Sequence, residues 1–454
     1  MNTKRKIIKW TAVTAGGVLA AAVAYIGFNS FDIEPPDLAK FVNPFEIPSE
    51  ADNVYYGLVA ATNVVSEKTG HPVWAGVFED YREAWEKFHR FNDGMTAEVK
   101  DAILSESEKV LTLFHEAAQR KTWYGYDQSG SRDLFPAINV FTKLCKLADL
   151  QAKRQLELGN IEAAIEGVRD MVLLTRKVEH DSESALRWLV AGVALNYADG
   201  IAMKIVSSGK ATDEELGRLQ DVLRQFDIES RSERMERMMN NEFYVYFMWM
   251  TDMKNFANLA SSEELALKIL RFPILGSYAY HRNRTWAIYA SYLEKVKAGY
   301  RFGYDKAVWD KIDDEIPVIC NHGWRFGPNF IGRKMMGACL PAWRSIGENV
   351  MRTNFRHSSA ETIVAAARFK RKTGAFPKKL AELVPEYLPA VPRDPFTRDA
   401  ELKYDPARGI LWTVGTEGTF NGEPVKPNDK YSVYGKYGKE NRNHVINIDG
   451  TPCK

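Results

Sequence analysis

Residues able to do chemistry are present along the 454-residue chain, but seldom at spacings that chemistry can use. Ser207-Ser208-Gly209-Lys210 sets a hydroxyl and an amine three residues apart, and Lys372-Thr373-Gly374 adds a second lysine with a hydroxyl beside it. That pairing suits acyl transfer to an activated serine. None of the eight histidines stands in an H-E-x-x-H pair, and His115-Glu116 lacks the second ligand one helical turn away that zinc needs. Glu179-His180-Asp181 offers three groups able to ligate a metal, yet neighbours on a helix point in different directions, so a solvated corner between helices is expected there. Asp310, Asp313, Asp314 and Glu315 could supply the acid and base of glycoside hydrolysis, which requires two carboxylates at a fixed separation. Adjacency along the chain does not fix one, and the quartet reads as a charged, exposed helix end. The sequence contains no G-x-S-x-G elbow, phosphate-binding loop or dinucleotide fingerprint.

The serine and lysine triplets resemble those of penicillin-binding proteins, whose serine opens a helix beside its lysine and whose K-T-G lies on a strand. Here both triplets fall where helices are expected to stop at glycine, and no S-x-N element separates them. No catalytic residue is therefore assigned, and an enzyme is not the expected outcome. The alternative is an envelope hydrolase whose site is assembled from residues far apart in sequence.

The elements that would hold any site are mostly helical. Apolar residues recur at helical spacing from Ser49 to about Arg371. Ile138, Phe141, Leu144, Cys145, Ala148, Ala152 and Leu156 form one stripe that Gly159 closes. Asn160 then caps a second helix bearing Ile161, Ala164, Ile165, Val168, Met171, Val172 and Thr175, and the two should pack as an antiparallel hairpin. Leu186, Leu189, Val190, Val193, Ala194, Tyr197, Ile201 and Ile205 mark a third helix ending near Gly209. Thr212-x-x-Glu215 is a capping box opening a fourth, with Leu216, Leu219, Leu223 and Phe226. The phrase from Leu156 to Ile165 is similar to the turn inside a tetratricopeptide repeat. It has no second copy one repeat away, so an irregular bundle or array is expected rather than a solenoid. Met235, Met238, Met239 and Phe243 to Met253 make a methionine and aromatic patch expected to be core, whereas Ile316 to Pro341 reads as irregular connection.

Location is more legible than activity. Lys4, Arg5, Lys6 and Lys9 precede an uncharged run from Trp10 to Phe28. A run of about 20 residues at ~1.5 Å each matches the hydrocarbon thickness, and clustered cations stay on the cytoplasmic side. The run predicts a single-pass anchor in the cytoplasmic (inner) membrane, with the N-terminus inside and the bulk of the chain periplasmic or otherwise extracytoplasmic. A signal peptide cleaved near Ala24 is the rival, since Ala22-Val23-Ala24 has the small-x-small pattern. The organisation expected is residues 1–31 as signal-anchor, 32–48 as a proline-rich spacer, 49–357 as an all-helical domain, and 358–454 as a small α+β module with antiparallel strands. The fold class is thus mainly α. Lys+Arg 61 against Asp+Glu 59 leaves a net charge of +2, which makes nucleic acid a poor partner; the membrane and an unidentified protein are the partners expected. The cysteines at 145, 320, 339 and 453 form no zinc spacing, and an exported chain would permit a disulfide between Cys320 and Cys339.

The C-terminal module carries a family resemblance. A helix leads into Thr373-Gly374-Ala375-Phe376-Pro377, then Leu380, Leu383-Val384-Pro385, Tyr387-Leu388 and Val391-Pro392-Arg393-Asp394-Pro395-Phe396. Leu402 and Tyr404, a turn through Gly409, and Ile410 to Val414 suggest a hairpin before Gly415-Thr416-Glu417-Gly418. From Ala360 to Gly418 this resembles the soluble part of the major pseudopilins of type II secretion, which run from a helix through G-x-Y/F-P, L-x-x-L-V and L-P-x-D-P-W-G to Y-x-Y and S-x-G-x-D-G. The resemblance implies a structural role for Gly374, Pro377, Leu380, Leu383, Pro392, Asp394, Pro395, Tyr404, Gly415 and Gly418. It implies calcium as the one candidate cofactor, with Glu417 and Asp429 as candidate ligands. The pilin leader, Gly or Ala before F-T-L-x-E, is not seen, and the matching helix lies near the far end of the chain. A pseudopilin-like module carried on a helical body is therefore implied, in a structural or interaction component of the cell envelope or an accessory of a secretion or pilus-like machine.

Overall fold

A computed structural model describes residues 17–41, 48–66, 70–91, 95–123, 134–180, 185–247, 273–300, 304–320, 327–340, 342–397, 399–416 and 445–451. The protein is mainly helical with one small antiparallel sheet. In chain order the helices are α1 (Gly17–Phe28), α2 (Val54–Thr62), α3 (Val73–Asp80), α4 (Arg82–Phe91), α5 (Ala97–Glu106), α6 (Glu108–Gln119), α7 (Leu134–Glu157), α8 (Ile161–His180), α9 (Ala185–Ser207), α10 (Asp213–Leu223) and α11 (Arg231–Asn241). They continue as α12 (Pro273–Ala279), α13 (Arg282–Tyr300), α14 (Lys306–Cys320), α15 (Phe330–Cys339) and α16 (Ala342–Thr373). Two compact units divide the chain: Met1–Asn43, Asn240–Gly299 and Ala307–Ser345 form one, and Pro44–Met239, Tyr300–Lys306 and Ile346–Lys454 the other.

In the larger unit the local signals act as the sequence dictates. Gly159 takes φ +87° and Gly209 φ +67°, left-handed positions that cost a glycine least, and they stop α7 and α9. The Thr212 hydroxyl accepts from the Glu215 amide at 3.1 Å while the Glu215 carboxylate accepts from the Thr212 amide at 2.6 Å, so both halves of the capping box are made. The α7–α8 hairpin forms as expected. Its seam is tight at Gly167, where an added Cβ would sit 2.9 Å from that of Ala152.

The helix α9 forms as expected, and of the residues that mark it Ala194, Ile201 and Ile205 are buried. Leu186 is exposed and Leu189, Val190, Val193 and Tyr197 are half-buried, while Arg187, Trp188, Ala191, Leu195, Ala198, Asp199 and Ala202 are buried. The helix is apolar on nearly every side, so periodicity does not choose a face. Packing against α7 and α8 chooses the alanines, because small side chains let backbones approach. Among the described residues α9 is also the helix long and apolar enough to cross a membrane, and half of its most apolar window is buried within the protein.

The sheet, with strands β1 (Lys403–Asp405), β2 (Ile410–Trp412) and β3 (Val445–Asn447), is antiparallel in the order β1-β2-β3, with Tyr404 opposite Leu411 and Leu411 opposite Ile446. The Asp405 carboxylate accepts from the amides of Ala407 and Arg408 and closes the β1–β2 turn. Leu402, Leu411 and Ile448 join the same apolar cluster as Ile363, Val364, Leu380 and Leu383.

In the smaller unit, Phe41 packs on Phe243 at 4.5 Å, Phe243 stacks on Tyr289 at 5.7 Å, and the Trp343 indole N–H donates to the Tyr289 hydroxyl at 3.1 Å. The stretch read as irregular connection is helical over much of its length: α14 continues through Pro317 to Cys320, and α15 follows. Its glycines are packing residues as much as breakers. Gly332 fits against Thr285 and Asn329, where any Cβ would collide, and this places Ile331, Met335 and Met336 in the core. The described part of the proline-rich segment after α1 has no regular structure before a short 3-10 turn, Ala39–Phe41, and it is bound. The Asp32 carboxylate accepts from the amides of Asn283 and Arg284 at 2.7 and 3.0 Å, capping α13.

Replacing Gly167 by leucine should force α7 from α8 and destabilise the protein by about 1–3 kcal/mol, read as a lower urea midpoint with unchanged slope.

Candidate functional site

The polar groups most costly to place lie in the middle of the larger unit, on α8, α9, α11 and α16. Glu179 and Arg231 are 0% and 2% exposed, so their charges are almost wholly desolvated. The guanidinium meets the carboxylate as a fork, Nε at 3.1 Å and Nη2 at 2.5 Å, and its remaining arm donates to Asn354 Oδ1 on α16. Arg231 lies over the Trp188 ring at 4.5 Å, and Arg234 brings Nε within 3.7 Å of the same carboxylate. The sequence-based expectation placed Glu179 at a solvated corner. The structure buries it, because the last turn of α8 is covered by α11 and α16 and the arginine that neutralises it comes from 52 residues away.

Next to this pair, His357 on α16 meets Asp199 on α9, and both side chains are 0% exposed. Nδ1 is 2.8 Å from Asp199 Oδ1 and Nε2 is 3.1 Å from the Leu223 carbonyl oxygen. A carbonyl can only accept, so Nε2 carries a proton, and the carboxylate takes the proton of Nδ1: His357 is an imidazolium in the core. Burial lowers its pKa, but Asp199, Glu361 and the Leu223 carbonyl outweigh burial and hold it above the ordinary histidine value. Burial also pushes the Glu361 carboxyl above the usual range, against the pull of His357 and Arg224. With both ring nitrogens engaged, His357 has neither a lone pair nor a free proton to offer a substrate. The arrangement ties five helices together, α8, α9, α10, α11 and α16, and its chemistry is structural.

A second acid–histidine pair is more open. Asp170 Oδ2 lies 2.8 Å from Nδ1 of His115, which is half-exposed, and Gln119 donates to Oδ1 at 3.0 Å. Burial pushes the Asp170 carboxyl up to about 6. No serine, threonine or cysteine hydrogen-bonds His115 among the described residues.

The residues singled out in the C-terminal module assemble into one scaffold. Gly374 ends α16 at φ +84°, the Tyr404 hydroxyl donates to the Pro377 carbonyl at 2.9 Å, and Leu380 and Leu383 are buried in a 3-10 turn. Asp394 is fully buried and accepts from the amides of Phe396 and Val414 and from the Thr413 hydroxyl. The Pro392 carbonyl accepts from the Leu402 amide, the Pro395 carbonyl accepts from the Tyr304 amide, and Gly415 sits at φ +66°. Glu417, Gly418 and Asp429 lie outside the described residues, so the calcium ligands have no structural placement. Among the described residues no group of three or more His, Cys, Asp or Glu is arranged to hold a metal ion.

The other candidates also have places. Ser207 is the last residue of α9, and Thr373 is the last of α16, with its hydroxyl donating to the Phe369 carbonyl at 2.9 Å; both triplets stand at helix ends. Asp310 and Asp313 on α14 share Arg344, and Glu315 pairs with Lys295. They are surface ion pairs along a helix rather than a facing pair of carboxylates. Met235, Met238, Met239 and Phe243 are core, Tyr244 is exposed, and Met248 to Met253 lie outside the described residues. Cys320 is a free thiol, half-buried, and the side chain of Cys339 is outside the description. No family model matches the chain, and no curated protein or solved structure is significantly similar to it.

The network was missed because Asp199 is a lone polar residue on an apolar helix, and Asn354 and His357 lie in a polar stretch of α16, with Thr353, Ser358 and Ser359, that carries no signal of burial. The available signal is Asp199 standing between Leu195 and Ala202 on the buried face of α9. Glu179→Ala should cost about 3–5 kcal/mol in urea denaturation by stranding Arg231, and replacing both residues with apolar ones of similar volume should cost less. The raised His357 pKa makes its contribution complete below about pH 6.5, the unfolded value, and lost as pH rises through the folded one. Tm should accordingly fall as pH rises above about 6.5, and His357→Gln should flatten that slope.

Proposed function

We propose that this chain is a membrane-anchored, extracytoplasmic interaction component of the cell envelope, carrying a pseudopilin-like module on a helical body. The observation that carries this reading is α1. Val18, Leu19, Val23 and Phe28 are 62–80% exposed along an apolar helix that its own fold does not cover. The uncharged run containing α1 begins directly after Lys4, Arg5, Lys6 and Lys9. An apolar helix left uncovered in water is costly, and lipid removes that cost, while the cations favour a cytoplasmic N-terminus.

The interaction half of the reading is supported by chemistry already in use elsewhere. Both nitrogens of the buried histidine serve the fold, and the serine and lysine triplets stand at helix ends. A role beside pseudopilins is supported by the order helix, Gly374 turn, 3-10 turn, Asp394 turn and antiparallel hairpin, which runs in the same sequence as the family's motifs.

The test is expression of the full chain in a bacterium with alkaline phosphatase fused after Lys454, followed by carbonate extraction and N-terminal sequencing. The expected product is carbonate-resistant, begins at or next to Met1 and has active phosphatase, and deletion of residues 1–31 abolishes both properties. A soluble cytosolic product would overturn the reading. An affinity-purified complex should contain pseudopilins or their platform proteins; turnover of a substrate without partners would favour the hydrolase.

A further inference from the structure

Apolar, aromatic and cationic groups converge at the carboxyl end of α1. Phe28 and Phe31 are exposed there, and Tyr25, itself exposed, meets the ring of Tyr278 edge-on at 6.3 Å. The guanidiniums of Arg284 and Arg333 stand close by, and Arg282 is on the same first turn of α13 as Arg284. Arg333 on α15 is within electrostatic reach of Tyr25, Tyr278 and Arg284. Arg284 lies in the first turn of α13, and Arg282, which opens that helix, is exposed and lies over the Trp286 ring at 4.9 Å. The carboxylate at hand is Asp32, whose oxygens receive the amides of Asn283 and Arg284. Among the described residues none of the three guanidiniums makes an ion pair with a carboxylate.

We propose that Arg282, Arg284 and Arg333 form a binding site for the phosphate of anionic phospholipids in the leaflet that faces the folded domain. The proposal rests on the anchored reading, which puts Tyr25 and Phe28 at the outer edge of the hydrocarbon. Tyrosine and tryptophan favour that depth, where an apolar ring can lie in lipid with its polar atom in the headgroups, and Tyr25, Tyr278 and Trp286 supply such rings. Phosphates lie at the same depth. A guanidinium matches phosphate oxygens with two parallel donors and is weakly hydrated, so it gives up water more readily than an ammonium. Because Asp32 clamps the amide end of α13 to the chain leaving α1, Arg282 and Arg284 stay beside the anchor instead of swinging with a loose linker. Cations on the outer side do not oppose the orientation signal, which is set by residues flanking the span and not by a translocated domain.

The full-length chain, reconstituted in vesicles of phosphatidylcholine with spin-labelled phosphatidylglycerol or spin-labelled phosphatidylcholine, provides the test. The wild type should prefer the anionic label by about fivefold or more at its motionally restricted sites, since each arginine at the surface contributes a several-fold factor. Arg282→Gln/Arg284→Gln/Arg333→Gln should bring the preference close to one, with far-UV circular dichroism and Tm reporting that the variant is folded. Arg282→Lys/Arg284→Lys/Arg333→Lys retains the charge but not the two-donor fork and should keep only part of the preference, which separates the contribution of charge from that of the guanidinium. Equal affinity for both labels in the wild type, or an unchanged preference in the glutamine variant, would overturn the site. So would abolition of the preference by millimolar inorganic phosphate at constant ionic strength, because the site would then take free phosphate. Carbonate extraction of the same vesicles reads the anchor separately: a chain that stays embedded but shows no preference sinks the arginine site alone, and a chain that washes out sinks the anchor.

Discussion

A charge in a helical core must meet its counter-charge or leave the core, and the larger unit is arranged around that constraint. Glu179 cannot stay ionised in its place on α8 without Arg231 from α11, and Arg231 in turn needs Asn354 from α16 and the face of Trp188 from α9. His357 adds a tie of the same kind between α16, α9 and the carbonyl of Leu223 at the end of α10. Apolar side chains alone would let these helices slide by a turn at little cost, since leucine and alanine faces are interchangeable. A forked ion pair and a doubly bonded imidazolium admit one register. The high cost of leaving any member unpaired is what makes the arrangement specific.

The smaller unit obeys a different solvent rule. Its interior is built from stacked and hydrogen-bonded aromatics, Phe41, Phe243, Tyr289 and Trp343, whereas α1 stands uncovered. Asp32 fastens the chain leaving α1 to the first turn of α13 by two backbone hydrogen bonds. A helix held in this way has its direction fixed relative to α13, which a free proline-rich tether would not do.

Much of the helical layout could be read from the residues because its signals are local. Gly159, Gly209 and the Thr212–Glu215 box each act through their own backbone, and each does in the fold what its chemistry requires. The turn at Asp394 has the same local origin, since an aspartate before proline tends to take up neighbouring amides. The face of α9 was not legible. An apolar helix carries no angular information, and the neighbours that cover it choose which side is inside. Nor was the helix α15, where glycines that read as breakers are the small residues that close packing demands.

By itself the sequence determined the ends of α7 and α9, the start of α10, the turn chemistry of the C-terminal module and the apolar run after its basic cluster, since these depend on residues within a few positions of one another. Only the tertiary structure decided that Glu179 is buried, that Asp199 and His357 meet across 158 residues, and that Arg284 and Arg333 come together beside Tyr25. The physical reason is that desolvation and Coulomb energy depend on distance in space, and chain spacing beyond a helical turn leaves that distance open until the core has closed.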